Sequence, residues 1–282
     1  MLFTKRNKIV PLQKDLQIEY IDAELRIRLW NLLKLFYWDN FSRYDNYSYI
    51  HRSNFESYIP SLWHNFYKIS LDDQPDRFPQ ALQIIKERFF SFKWYEIFDF
   101  IEFTIRNSPG IAGVQQFPKT CNLILQQENS AYRIVEGNFT QITDEIEISE
   151  IEESISNSDK YYGVKTHLRT ALSFLSDRKQ PDYRNSIKES ISSVESICQI
   201  ITKDKKATLG NAIKKIEEKY NLHPALKSAF SSLYGFTSDK DGIRHALLEK
   251  SDITFNDAKY MLVTCSSFIN YLLVLISENG NK

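Results

Sequence analysis

The sequence predicts a mainly α protein, with an N-terminal helical domain carrying one small β-hairpin and then an up-and-down helical bundle. Three observations predict it. Gly and Pro number eight each among 282 residues, so few positions break a helix. Apolar residues recur at three- and four-residue steps through most of the chain. Apolar and polar residues alternate strictly in one place, on either side of Gly137-Asn138, which is a hairpin signal.

The first helix reads DAELRIRLWNLLKLFYWDNF, with Leu25, Leu29, Leu32, Leu33 and Phe36 on one stripe and Asp22 as N-cap. A second covers NFESYIPSLWHNFYKIS, where Pro60 kinks the helix or marks its start. After the loop LDDQPDRFP, the stretch QALQIIKERFFSFKWYEIFDFIEFTIRNS reads as two helices or one bent helix. Its aromatic residues point to all sides, which suits a core or an interface better than base stacking. PGIAGVQQFP is a loop, KTCNLILQQENS a helix, and the hairpin occupies 131–143. A lone two-stranded hairpin is marginal, so it must pack on helices, as a wing linking two helical domains. Asp144 caps the acidic helix EIEISEIEESISNS.

From about residue 158 the pattern is wholly helical, giving an expected division into 1–157 and 158–282. The bundle helices are KYYGVKTHLRTALSFLSDR; YRNSIKESISSVESICQIITK, striped by Ile187, Ile191, Val194, Cys198 and Ile201; TLGNAIKKIEEKYN, capped by Thr208; and PALKSAFSSLYGF, opened by Pro224. GIRHALLEK is a short fifth, and FNDAKYMLVTCSSFINYLLVLIS, capped by Thr254, is the last. The apolar tail MLVTCSSFINYLLVLI is short and broken by Ser, Thr and Asn, so it reads as a buried helix and not as a membrane span.

Lys+Arg and Asp+Glu both total 36. Zero net charge excludes attraction of the whole molecule to nucleic acid or an anionic membrane, and leaves only local patches. One such patch is KDKKATLGNAIKK, where Lys203, Lys205 and Lys206 precede a helix start whose free N–H groups suit a phosphate; a solvated helix face is the plainer reading. Arg184 opens the second bundle helix and is a further phosphate-contact candidate. The cysteines, Cys121, Cys198 and Cys265, are scattered in apolar contexts, as buried thiols of a reducing compartment are. No metal spacing occurs, His64 and His167 lack a partner at ligand spacing, and no glycine-rich phosphate loop is present. Neither metal nor cofactor is expected, and the chain reads as cytoplasmic.

The residue types with the strongest chemistry are Arg244 and His245, in LYGFTSDKDGIRHALLEK. Arginine matches phosphate oxygens with a two-pronged fork, and histidine transfers protons near neutral pH. Asp241, His245 and Glu249 recur at four-residue steps, which puts two carboxylates beside the imidazole on one face. The structural alternative is that Arg244 pairs with Asp241 or Glu195 to lock a short helix, with His245 buried and satisfied.

Two sets of segments resemble known families. ELRIRLWNLL and ENSAYRIVEGNFTQITDEIEISEIEESI resemble the N-terminal domain of AbiJ-type abortive-infection proteins. YRNSIKESISSVESICQIIT, TLGNAIKKIEEKYNLHPALKSAFSSLYGFTSDKDGIRHALLE and DAKYMLVTCSSFINYLL resemble its accompanying helical domain, which is similar to the HEPN bundles. This resemblance implies a phage-defence protein whose HEPN-like domain dimerises into a composite, metal-independent endoribonuclease site. It further implies an RNA substrate and an antitoxin or phage-derived trigger. Arg244, His245 and Glu249 would be catalytic, with Glu189, Glu195 and Asp241 supporting. The family motif leaves four to six residues between Arg and His on one helix. Here those positions from Arg244 hold Glu249, Lys250 and Ser251. The other reading is therefore a non-catalytic HEPN-type dimer that binds a partner or nucleic acid.

Overall fold

A computed structural model describes residues 14–42, 47–107, 111, 113–177, 180–238 and 253–279. It is mainly α, as the periodicity predicts, and it divides into two compact units, Met1–Thr143 and Asp144–Lys282.

In the first unit, α1 (Ala23–Phe36) begins at Asp22, whose side chain accepts the Leu25 N–H, and it buries Leu25, Leu29, Trp30, Leu32 and Leu33. A short α2 (Tyr58–Ser61) runs into a π-helical turn, Leu62–Tyr67, that ends at Lys68 in the left-handed region (φ 55). The long aromatic stretch resolves into α3 (Phe78–Ser91) and α4 (Trp94–Arg106). Arg26 of α1 stabilises the break: its guanidinium donates to the carbonyls of Phe90 and Phe92 at 2.9 and 2.8 Å, serving carbonyls that the end of α3 leaves unpaired. Phe89 and Phe100 are fully buried and Phe98 nearly so, whereas Phe90 and Tyr95 are exposed; most of the aromatic stretch is core.

After α5 (Phe117–Gln127), β1 (Arg133–Val135) and β2 (Asn138–Thr140) pair antiparallel, Ile134 opposite Phe139. Glu136 (φ 49) and Gly137 (φ 80) form the turn, the doubly left-handed kind that matches strand twist. The hairpin packs on helices, as expected: Ile134, Val135 and Phe139 are buried, and the Phe139 ring stacks on Phe98 of α4 at 4.1 Å. Burial explains this, because three-residue strands lack the hydrogen bonds to stand alone.

In the second unit, α6 (Glu145–Asn157), α7 (Tyr162–Ser176), α8 (Tyr183–Thr202), α9 (Leu209–Tyr220), α10 (Pro224–Ser238) and α11 (Phe255–Asn279) form a bundle. Asp144 and Thr208 cap their helices as expected, and Thr254 and Asp257 exchange hydrogen bonds at the start of α11. The helix α8 is central and packs against α7, α9 and α11. It buries Ile187, Ile191, Val194, Cys198 and Ile201, the predicted stripe, together with Ser186, Ser190 and Ser193. Those serines donate to helix carbonyls; Ser186 reaches Ala171 of α7 at 2.8 Å. Their small side chains let the helices approach closely.

The helix α6 packs on α7 and α11 within this unit. Glu147 pairs with Lys259 at 2.9 Å, and the Glu150 carboxylate accepts from Ser267 and Asn270, each at 3.0 Å. Among the described residues α11 is the one helix long and apolar enough to cross a membrane by length and composition. It packs here as a core helix, burying Ala258, Met261, Leu262, Cys265, Phe268, Ile269 and Leu272.

Candidate functional site

In the bundle, two helices bring together a pair that sequence spacing hides. His167 of α7 and Glu189 of α8 stand 22 residues apart, and Nδ1 lies 2.6 Å from the Glu189 carboxylate. The pair is half-buried, with side-chain exposures of 35% and 22%. A carboxylate only accepts, so Nδ1 is the donor of this bond and Nε2 is directed away from Glu189. His167 has no partner at metal-ligand spacing on its own helix, and the carboxylate it meets comes from the next one. The signal was not in either helix alone, because the partner arises only when α7 and α8 pack antiparallel.

The supporting carboxylates expected from sequence separate. Six residues put Glu189 and Glu195 about 120° apart around α8. Glu189 faces α7, while Glu195 acts electrostatically on Cys198, whose thiol is pushed up to about 12, first by burial and then by that negative charge.

The cationic candidates separate too. Arg184 is half-buried in the first turn of α8, whereas Lys203 caps its far end in the left-handed conformation (φ 55). The helix rise places them about 28 Å apart, so they do not make one patch. Lys203, Lys205 and Lys206 are exposed. Asp204 organises their loop by accepting the Lys206 N–H at 3.1 Å and pairing with Lys215 at 2.7 Å. His223 caps α10, its Nδ1 accepting the Ala225 N–H at 3.1 Å. Arg244, His245, Glu249 and Asp241 lie outside the described residues.

The first unit holds a charged cluster of its own. Asp22, Glu24 and Glu128 place carboxylate oxygens within 4.8 Å of one another, and the Lys14 ammonium sits among them, 2.7 Å from Asp22 and 2.5 Å from Glu24 and also bonded to Glu128. Arg28 adds a second cation, 2.5 Å from Glu128. Burial opposes the charged forms, yet the mutual hydrogen bonds outweigh it: Lys14 is raised, and Asp22 and Glu128 are lowered. These carboxylates therefore hold the protein's own ammonium, which fastens the segment before α1 to the end of α5. Buried Gln17 completes the tie, donating to the Glu128 carbonyl and accepting the Asp22 N–H, both at 2.7 Å.

The family model described as AbiJ N-terminal domain 4 matches residues 1–157, more than half of the chain. The chain belongs to the AbiJ family. No curated protein and no solved structure matches it significantly. AbiJ membership puts the protein among abortive-infection, antiphage proteins. The AbiJ match includes α6, although that helix packs with the second unit.

Proposed function

We propose that this AbiJ protein is a cytoplasmic antiphage effector whose second unit is a HEPN-like domain acting on RNA. Family membership carries the reading, and an antiparallel bundle with a polar, half-buried His–Glu pair supports it. The reaction is metal-independent cleavage by attack of a ribose 2′-hydroxyl on the adjacent phosphate. Arg244 grips phosphate oxygens, His245 transfers a proton, and Glu249 and Asp241 flank it. The active form is a homodimer through this domain, held in check until an antitoxin is lost or a phage-derived trigger arrives. Arg184 and the loop carrying Lys203, Lys205 and Lys206 contact the RNA backbone at separate points.

The test is to incubate purified protein with total RNA and a chelator, alongside Arg244→Ala and His245→Ala. Cleavage by the wild type and loss in both variants is the expected result. Equal cleavage by all three removes both residues from the chemistry. The spacing after Arg244 favours a second reading, a non-catalytic HEPN-type dimer. Tight, salt-sensitive RNA binding without cleavage in the same experiment would select it.

A further inference from the structure

We infer that His167 is a proton-transferring residue of this RNA cleavage and that Glu189 is its positioning residue; the inference rests on the RNA-cleaving reading above. Attack by a 2′-hydroxyl requires a proton to leave the nucleophile and another to reach the departing 5′-oxygen. A side chain fit for this has an open nitrogen, a fixed tautomer and a ring that cannot swing away. His167 meets all three conditions. Glu189, 2.6 Å from Nδ1, fixes tautomer and orientation, the arrangement by which a carboxylate prepares an imidazole to act through its other nitrogen. More than a third of the side chain is open to solvent, and no described residue forms a hydrogen bond to Nε2.

The surroundings suit a polar chain molecule. Helical repeat places Gly163 and Thr170 beside His167 on α7, and Asn185, Ser192 and Ser196 beside Glu189 on α8; all five are partly or fully exposed. A Cβ at 163 would meet Ser196 Oγ at 3.8 Å, an ordinary contact, so this face of α7 runs beside the Ser196 face of α8. The other described histidine of this unit, His223, has its Nδ1 committed to a helix cap.

In the step, the 2′-oxygen bonds to phosphorus as its proton passes to Nε2. The bond from phosphorus to the 5′-oxygen breaks, that oxygen takes its proton from His245, the other proton carrier of the reading above, and Nε2 afterwards releases the proton it took to water. The products are a 2′,3′-cyclic phosphate and a 5′-hydroxyl.

The experiment uses the full chain, total RNA and a chelator, with His167→Ala, Glu189→Gln, Arg244→Ala and His64→Gln as control. His167→Ala should cleave about 10²–10⁴-fold more slowly, keep its melting temperature, and regain activity when imidazole is added. Glu189→Gln should lower kcat more than it changes KM and remove the downfield Nδ1–H proton resonance of His167. Undiminished cleavage by His167→Ala, with Arg244→Ala inactive, overturns this inference and leaves the RNA-cleaving reading intact. A loss that imidazole does not restore also overturns it, by assigning the pair to packing. No cleavage by the wild type overturns both.

Discussion

Asn122 bonds both backbone groups of a single strand residue, Ile134: its Oδ1 accepts the N–H at 2.7 Å and its Nδ2 donates to the carbonyl at 2.8 Å. One side chain of α5 thus does for β1 what a third strand would. On the other edge, Glu102 of α4 accepts the Phe139 N–H at 2.7 Å. Unpaired strand edges are costly when buried and adhesive when exposed, and here side chains close both.

Replacing Asn122 by Ala should therefore cost about 1–3 kcal/mol, because it strands two polar groups in a part-buried site. Glu102→Gln keeps an acceptor for Phe139 and should be far milder than Glu102→Leu. Burial holds the Glu102 carboxyl above its ordinary range, so the neutral amide also removes a desolvated charge. Urea midpoints of the three variants check the order.

Acid should loosen the first unit through Asp22 and Glu128. Their folded pKa values are lowered against burial by hydrogen bonds, to Leu25 and Lys14 for Asp22 and to Lys14 and Arg28 for Glu128. Their stabilisation is present above the unfolded carboxylate pKa of about 4 and is lost as pH falls through the folded values. Lys14→Met should cost about 1–2 kcal/mol at neutral pH and flatten the acid limb. Melting temperature followed from pH 7 down to pH 2 reads both effects; an unchanged acid limb in the variant would refute the assignment.

Thiol reagents should leave the native protein unlabelled. Cys121, Cys198 and Cys265 are free and buried, and burial raises all three thiols, Cys198 and Cys265 to about 12. The thiolate is the reacting form, so at pH 8 labelling should wait on unfolding. Mass spectrometry with and without denaturant should show no adducts and three adducts respectively.

If the α8–α9 loop contacts RNA, changing Lys203, Lys205 and Lys206 to Glu should weaken binding similarly for all sequences. Each lost phosphate contact should reduce the slope of log affinity against log salt by about one. Arg184→Ala, about 28 Å away along α8, should lower affinity independently. Strong coupling between the two changes would contradict separate contact points.

What the sequence made legible was local. The caps Asp22, Asp144 and Thr208 and the Ile187-to-Ile201 stripe lie within one turn or one helix, where 3.6-residue geometry decides. The break between α3 and α4 was ambiguous because aromatic residues surround it on every face, and the group that stabilises it, Arg26, comes from 63 or more residues earlier in the chain. His167 and Glu189 were hidden for the same reason: neither helix carries a hint of the other until they pack. Gln17 is a third case, a polar residue near the start of the chain that is 1% exposed because α5 ends against it. Arg244 and His245, which the sequence made conspicuous, fall outside the described residues.

The position of α6 decides where this chain can be divided. A cut after residue 157, where the family match ends, would carry Ile148, Ile151 and Ile155 away from their neighbours as a greasy tail. It would also leave Lys259, Ser267 and Asn270 facing nothing. A graft joined between Thr143 and Asp144 keeps this helix with its own bundle, and chimaeras spliced there should remain soluble where those spliced after Asn157 precipitate.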